Sequence, residues 1–205
     1  MARDRAPIGK QSRREGYALH PKAHKILAKR PNIPGQHGPK RRSKPSQYSI
    51  QLREKQKIRR LYGLLEKQFS NLVREADRTV GQTGNTVLEY LERRIDNVVY
   101  RSGFAASRRA ARQLVSHGHF ILNGRRVDIP SIRLKAGDEI TVRPKSANNA
   151  YMNNLEDLTG GLGKSNYSWF SVDSKKQTIK INALPTREDA EQDLNEQLVV
   201  EYYSR

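Results

Sequence analysis

Five arginines lie between Ser107 and Val127, and no acidic residue interrupts that stretch. A guanidinium group is planar, stays charged and forms paired hydrogen bonds to phosphate oxygens. Several such groups on one folded segment suit the phosphate backbone of a folded nucleic acid better than a small ligand. The alternative is a solvated face, although such a face usually mixes both charge signs. The five residues are Arg108, Arg109, Arg112, Arg125 and Arg126.

The first part of this stretch has the pattern of a short helix. The hydroxyl of Ser107 can cap a helix start, and Gly118 can adopt the left-handed conformation that ends one. Helical spacing separates an apolar side from a polar side. The apolar side holds Ala110, Ala111, Leu114 and Val115, and the polar side holds Arg108, Arg109, Arg112 and Ser116.

A tight hairpin is predicted directly after this helix. Asn123-Gly124 is the strongest short hairpin signal, because both residues tolerate positive φ. Arg125 and Arg126 would follow on the return strand, close to the helix because the link at Gly118 is short. The predicted nucleic-acid contacts here also include Gln113, His117, His119, Asn123 and Gly124. For the two histidines and Asn123, a structural role at the turn is an equal alternative.

The composition points to a polyanionic partner. The chain has 205 residues, a formal net charge of +18 and 35% hydrophobic residues, with a pI of about 10.3 and a mean hydropathy of -0.86. Nucleic acid is the usual partner of so basic a protein. No apolar run approaches the roughly 20 residues of a membrane-spanning helix, so no membrane partner is expected. Residues 1–30 lack the apolar stretch of a signal peptide and the amphipathic pattern of a transit peptide.

The residue types argue against a metal site and against catalysis. The absence of cysteine excludes disulfides, thiolate zinc sites and cysteine nucleophiles. His20 and His24 have helical spacing, but Pro21 lies between them. Residues 160–165 read GGLGKS, but Leu158 stands where a phosphate-binding loop needs glycine. We therefore predict no metal, no cofactor and no catalytic residue.

Residues 1–45 are predicted to form an extended basic arm. Six prolines prevent a long helix, and so few apolar residues are present that the arm should order only on its partner. The arm includes the predicted nucleic-acid contacts Arg41, Arg42 and Lys44. The run Pro34–Gly38 is a turn cluster that permits close backbone approach, or else a plain linker.

Residues 46–102 are predicted to be helical. A basic helix begins at a Ser46 cap and ends near Gly63. Its proposed nucleic-acid contacts are Arg53, Lys55, Lys57, Arg59 and Arg60. A second helix has a core stripe that starts at Phe69. A third is expected to run from about Val87 to the Ser102-Gly103 pair.

Short strands and an acidic tail complete the expected structure. Strands are predicted at 127–129, 139–142, near 169–172 and at 178–181. The charge becomes acidic after Thr186. The tail should pack on the helices of residues 46–100 and not on RNA.

Several segments together resemble the family of the fourth protein of the small ribosomal subunit, over nearly the full chain. They are PGQHG at 34–38, REKQKIRRLYG at 53–63, RIDNVVYRSGF at 94–104, RQLVSHGHF at 112–120 and NEQLVVEYYSR at 195–205. The stretch around the five arginines alone resembles an RNA-binding module that several protein families share. The chain resembles the bacterial type and lacks the four zinc-site cysteines of some members.

The resemblance implies an α+β fold. An all-helical domain of residues 46–93, completed by 177–205, would carry an inserted mixed α/β RNA-binding domain of residues 94–176. The core module of that insert would span about 94–157, with a helix pair packed on a small antiparallel sheet. The basic arm of residues 1–45 would precede both domains.

The resemblance also implies a function. It predicts a structural protein of the cytoplasmic ribosome that binds the 5′ part of the small-subunit RNA at a junction of helices and nucleates assembly of the subunit body. Implied partners are neighbouring small-subunit proteins, especially the fifth, and messenger RNA, with an influence on decoding accuracy. In this hypothesis the five arginines clamp one part of the junction, the basic helix at 46–63 clamps another, and the arm threads between RNA helices.

Two other classes of function are conceivable. An RNA-modifying enzyme can carry the same module, but about 60 residues after it leave too little room for a catalytic core. A basic protein that binds anionic lipid or acts as a chaperone would bind vesicles without competition from RNA.

Overall fold

A computed structural model describes residues 4, 6–38, 44–159, 167–173 and 176–204. The chain divides into two compact units. The first comprises residues 1–87 and 192–205, and the second comprises residues 88–191.

The first unit is built from helices. They are α1 (Ile8–Glu15), α2 (Ala23–Lys29), α3 (Gln47–Leu61), α4 (Glu66–Asp77), the start of α5 (Thr83–Glu92) and the C-terminal α11 (Glu196–Tyr203). The predicted cap of α3 is confirmed, since the Ser46 hydroxyl accepts a hydrogen bond from the Ser49 amide. The core stripe of α4 is confirmed as well, because Phe69, Leu72, Val73 and Ala76 are buried.

The N-terminal segment differs from the extended arm that the sequence predicts, because it contains two short helices. Pro7 stands at the N-cap of α1, where its missing N–H costs nothing, and Gly16 ends the helix in the left-handed conformation. Prolines therefore limit the length of helices here without preventing them. Gln11, Ser12 and Ala23 are buried against the rest of the unit.

The C-terminal helix α11 packs on α3 and α4, as predicted for the tail, but the first part of that tail, residues 186–191, belongs to the second unit. The ring of Tyr203 lies 6.1 Å from that of Phe69, and its hydroxyl donates to Glu66 at 2.9 Å. The Glu54 carboxylate accepts the amide of Asn195 at 2.9 Å.

The predicted third helix is wrong in one respect, because it is broken into α5 and α6 (Ile95–Arg101). Arg94 has extended backbone angles, with φ -64° and ψ 135°, and forms an antiparallel bridge with Arg133. The Ile95 amide donates to the Ile132 carbonyl, and the Leu134 amide donates to the Arg93 carbonyl, both at 2.9 Å. Pairing with a distant segment therefore overrides the continuous helical pattern.

The second unit packs α6 and α7 (Arg108–Ser116) with a five-stranded antiparallel sheet, confirming the α+β fold class. The described strands follow the order β2-β1-β3-β5-β4. They are β1 (Phe120–Leu122), β2 (Arg125–Val127), β3 (Glu139–Val142), β4 (Phe170–Asp173) and β5 (Thr178–Ile181). Val98, Phe120, Ile140, Trp169 and Ile179 belong to the shared core.

The sheet extends further along the chain than the 94–176 segment of the sequence analysis. β5 pairs with both β3 and β4, so residues 178–191 lie in the second unit. A short 3-10 helix at Arg187–Asp189 follows β5. Residues 144–159 form the short helices α8 (Pro144–Ala147), α9 (Ala150–Asn153) and α10 (Leu155–Thr159). No helix among the described residues is both long and apolar enough to cross a membrane.

Candidate nucleic-acid interface

The helix α7 forms as its sequence predicts. The Ser107 hydroxyl accepts a hydrogen bond from the Ala110 amide at 3.2 Å, which caps the first turn. Ala111 and Val115 are fully buried, at 0% exposure. Their burial fixes the rotation of the helix and therefore directs its opposite side outward.

The Asn123-Gly124 hairpin is also confirmed. Leu122 pairs with Arg125, which leaves a two-residue loop, and both loop residues have positive φ, 49° and 80°, as a type I′ turn requires. The Asn123 side chain donates to Asp138 at 2.8 Å and accepts from the Glu139 amide at 2.9 Å. Its amide group therefore fixes the hairpin to the start of β3.

Gly118 brings the end of α7 and the hairpin together. This glycine has a φ of 71°, and a Cβ placed there would lie 2.3 Å from Nε of Arg126. The guanidinium of Arg126 thus lies directly over the glycine backbone, just beyond the last helical turn. The partial negative charge at a helix C-terminus favours a cation at this place.

Exposed polar residues from both elements form what we call the α7–β2 face, consisting of Arg109, Gln113, His117, Arg125 and Arg126. All five are exposed. The first three follow each other at four-residue intervals and so share one side of α7. The face carries three arginines, and Asn123 and Gly124 at the hairpin tip are exposed beside it.

Arg112 is less accessible than its place on the helix suggests, with 17% side-chain exposure. Its Nε and Nη2 atoms lie 2.7 and 2.6 Å from one carboxylate oxygen of Asp96. The same carboxylate holds Arg94 at 3.0 and 2.9 Å and is itself 4% exposed. Asp96 therefore joins α6 to α7 through two arginines.

Arg108 is enclosed on three sides. It donates to the side-chain oxygen of Asn97 at 2.9 Å and to Glu191 at 3.0 Å, and it lies 4.8 Å from the ring centre of Tyr100. Burial alone would raise the pKa of Glu191, but Arg108 and Arg101 outweigh that effect and hold it below its usual value. Glu191 is therefore a carboxylate at neutral pH.

These two acidic partners were not predicted, because no acid lies within the stretch from Ser107 to Val127 and the nearest ones in the chain are Asp96 and Asp128. The fold brings Asp96 to Arg112 across 16 residues and Glu191 to Arg108 across 83. Asp96 had a weak signal, since it follows Arg94 within a segment that resembles the ribosomal family, whereas Glu191 had none.

His119 and His117 differ in environment. The Nδ1 atom of His119 lies 2.9 Å from the Ser146 hydroxyl. Partial burial, the nearby His117 ring and the guanidinium groups of Arg143 and Arg126 all lower the pKa of His119. His119 is neutral at pH 7 and links β1 to α8, whereas His117 is exposed.

The arginines of the basic helix α3 form ion pairs with carboxylates of their own unit. Arg53 and Arg60 both form ion pairs with Glu15 of α1, the former at 3.2 Å. The Glu15 side chain is 0% exposed, and burial raises its pKa despite the opposing effect of these arginines. This group of charges therefore connects α1 to α3.

The other three α3 cations also have partners within the unit. Lys55 lies 2.6 Å and Arg59 3.5 Å from Glu66. Lys57 pairs with Glu54 at 2.8 Å and donates to the Asp193 carbonyl at 3.0 Å. Among the five α3 cations proposed as RNA contacts, Arg53 has the most exposed side chain, at 37%, and the other four are largely enclosed.

In the N-terminal segment, Lys44 is exposed, whereas Arg41 and Arg42 lie outside the described residues. The Pro34–Gly38 run forms a closed turn in which the Gly38 amide donates to the Gly35 carbonyl at 3.1 Å. A Cβ on Gly38 would lie 1.9 Å from the Ile33 carbonyl oxygen, so the turn depends on glycine. Within the described residues, no group of three or more potential metal ligands comes together.

Two family models match this chain in succession. The Ribosomal protein S4/S9 N-terminal domain matches residues 3–92, and the S4 domain matches residues 93–140. Small ribosomal subunit protein uS4 of Chlorobium limicola is 51% identical over 206 residues, covering 100% of both chains. The proteins of the same name from Roseiflexus sp. (strain RS-1) and Chloroflexus aurantiacus are 50% identical over 207 residues, again with full coverage of both chains. The chain belongs to the uS4 family of small ribosomal subunit proteins.

This membership confirms the resemblance seen in the sequence. The uS4 proteins are structural proteins of the ribosome and not enzymes, and the hypothesis of an RNA-modifying enzyme is therefore set aside. The S4 domain match contains α7, the hairpin and most of the residues that position them.

Proposed function

We propose that this chain is a structural protein of the small subunit of the cytoplasmic ribosome and binds the 5′ part of the small-subunit RNA through the α7–β2 face. The observation that carries the proposal is the exposure of Arg109, Arg125 and Arg126 on two rigid elements joined at Gly118. Support also comes from the uS4 relatives, which are named as small ribosomal subunit proteins and match this chain over its full length.

The chemistry of the face suits folded RNA. Helical RNA is bound mainly through phosphates and 2′-hydroxyls, because its deep major groove hides the base edges. Three guanidinium groups supply forked donors for phosphate oxygens, and Gln113 and His117 add donors for hydroxyls. A rigid arrangement of such groups recognises a shape such as a helix junction.

The remaining predicted contacts keep a role in the proposal, but a different one. Arg108 and Arg112 already hold carboxylates, so we assign them mainly to the positioning of α7. The five cations of α3 contribute to the positive electrostatic potential of the first unit and to its internal ion pairs more than to direct RNA contacts. Lys44, Arg41 and Arg42 stay predicted RNA contacts of the N-terminal segment.

A salt titration tests the proposal. We would compare the full chain with an Arg125→Gln, Arg126→Gln double variant for binding to a transcript of the 5′ part of small-subunit RNA. Each lost phosphate contact lowers the slope of log K against log salt by about 0.7–0.9, so the double variant should lose about 1.5. Lys135→Gln with Lys176→Gln is the matched control, because both lysines are exposed cations of the same unit.

The result that opposes the proposal is an equal change in both double variants. Net charge alone would then account for binding, and no particular face would be involved.

The finer role follows from the family. We propose that the chain binds the RNA early, nucleates assembly of the subunit body, and affects decoding accuracy near the path by which messenger RNA enters. Its protein neighbours would include the fifth small-subunit protein. Reconstitution of small subunits with and without this chain tests the role, since omission should block later proteins of the body from joining. Normal assembly without it would contradict the role in nucleation.

A further inference from the structure

We propose that the outer side of α4 is a second surface for the phosphate backbone of helical RNA. The surface, called here the α4 stripe, consists of Lys67, Asn71, Arg74 and Arg78. This inference rests on the proposed function and adds a contact that lies outside the S4 domain match and outside the basic helix α3.

The four residues share one side of the helix. At 100° per residue they fall within an arc of about 60°. The core residues Phe69, Leu72, Val73 and Ala76 occupy the opposite side and are between 0% and 6% exposed. Because the buried side fixes the rotation of α4, the stripe has a fixed direction.

The cations of the α4 stripe differ from those of α3 in exposure and in ion pairing. All four residues are exposed. In the described part of the chain, Lys67, Arg74 and Arg78 take part in no ion pair. Glu75 and Asp77 flank the stripe and do not lie within it. The stripe thus presents three cations and one amide to the solvent.

The helix dipole accounts for two of the three cations of the stripe but not for Lys67. Arg74 and Arg78 lie at the C-terminal end of α4, where the helix dipole favours cations. Lys67, however, is the second residue of α4, where the dipole disfavours a cation. Lys67 therefore gains nothing from the helix dipole, whereas contact with an external anion would stabilise it at this position.

The dimensions suit an extended polyanion. From Lys67 to Arg78 the helix rises about 16 Å, which is too long for one phosphate group and suits several successive or facing phosphates. The wide, shallow minor groove of helical RNA has phosphates on both rims. Asn71, between the cations, can donate to a 2′-hydroxyl.

The test compares two triple variants in the full chain with the same RNA transcript. The first is Lys67→Gln, Arg74→Gln and Arg78→Gln, since glutamine keeps a good helix propensity. The second is Lys135→Gln, Lys176→Gln and Lys180→Gln, which removes the same charge from exposed positions of the other unit. The first should lower the salt slope by about 2.4, because three phosphate contacts are lost, and should weaken binding by more than about tenfold at 0.2 M salt. The second should change neither.

Hydroxyl-radical footprinting locates the contact on the RNA. The α4 variant should lose protection at a group of sugars that the Arg125→Gln, Arg126→Gln variant still protects. Circular dichroism of both triple variants should show wild-type helix content, so that a loss of binding is not a loss of fold.

Several results would overturn the inference. An unchanged slope and footprint in the α4 variant, together with weakened binding in the hairpin variant, removes the α4 surface and leaves the proposed function intact. Unchanged binding in both variants removes the proposed function as well. Normal RNA binding with loss of a protein neighbour from reconstituted subunits would assign the stripe to an acidic protein surface instead.

Discussion

Helices α3 and α7 are both rich in cations, yet they use them differently. The five cations of α3 meet Glu15, Glu54 and Glu66 of their own unit. On α7, Arg108 and Arg112 meet acids, while Arg109 is exposed beside the hairpin arginines. The number of positive charges on a helix therefore does not tell how many of them can bind RNA. What decides is how far the fold leaves each cation exposed.

The largest expected effect comes from Asp96, which holds two arginines. Asp96→Ala should destabilise the second unit by about 3 kcal/mol, because it leaves buried cations without their partner. The only tryptophan of the chain, Trp169, is 1% exposed in this unit and reports its unfolding through fluorescence. Urea titration should show a lower midpoint for this variant.

Asp128→Ala is the control for that measurement, because Asp128 is an exposed acid of the same unit. Equal midpoints for the two variants would show that Asp96 does not organise α6 and α7.

The second prediction compares the two basic regions directly. Arg53→Gln with Arg60→Gln removes the same charge as Arg125→Gln with Arg126→Gln. The α3 pair should cost about 2 kcal/mol of stability, since Glu15 keeps a buried charge, but should lower the salt slope of RNA binding by less than the hairpin pair. Hydrogen exchange of residues 8–15 measures the loosening of α1.

Adding Glu15→Gln to the α3 pair should restore much of the protection of α1, because the buried charge is removed. A larger loss of salt slope from the α3 pair than from the hairpin pair would reverse the comparison.

The third prediction concerns the placement of the hairpin. Asn123→Ala removes two side-chain hydrogen bonds and strains a residue at φ 49°. The expected cost is about 1–2 kcal/mol, with a several-fold loss of RNA affinity although no charge has changed. Asn123→Gly relieves the strain without restoring the hydrogen bonds. Its stability and RNA affinity should therefore lie between those of the wild-type chain and Asn123→Ala. Unchanged affinity in Asn123→Ala would show that the arginines need no fixed turn.

The smallest expected effect is a loss of stability of the second unit at acidic pH. The pKa of Glu191 in the folded state lies below its ordinary value of 4.5. Its ionised form therefore stabilises the second unit above about pH 4.5, and that contribution is lost as the pH falls through the lowered pKa. Glu191→Gln should flatten the acid side of the Trp169 stability profile, whereas Glu188→Gln, an exposed neighbour, should not. If the stability profiles of Glu191→Gln and the wild-type chain had the same slope at acidic pH, Glu191 would not be the group responsible.

Local signals in the sequence were sufficient for the elements of the interface. The Ser107 cap, the buried Ala111 and Val115, and the Asn123-Gly124 turn each depend on residues within one helical turn or one hairpin. These short-range patterns predicted α7 and the hairpin correctly.

Long-range contacts account for what the sequence did not reveal. Glu15 reaches Arg60 across 45 residues, and Glu191 reaches Arg108 across 83. The break between α5 and α6 has the same origin, because Arg94 pairs with Arg133 although the apolar spacing continues through it. Charge pairing and strand pairing between remote segments produce no periodic pattern in the sequence. A prediction from residue spacing alone therefore takes such a cation to be accessible to RNA and such a helix to be continuous.

Gly118 has a consequence for how mutational data on this protein would be interpreted. It carries no functional group, yet the guanidinium of Arg126 occupies the space where a side chain would be. Any replacement must move that arginine, so a survey of substitutions scored by ribosome assembly would rank position 118 among the RNA contacts. The residue would be classed with the RNA ligands, although it contributes only its left-handed backbone conformation and the space that the Arg126 guanidinium occupies.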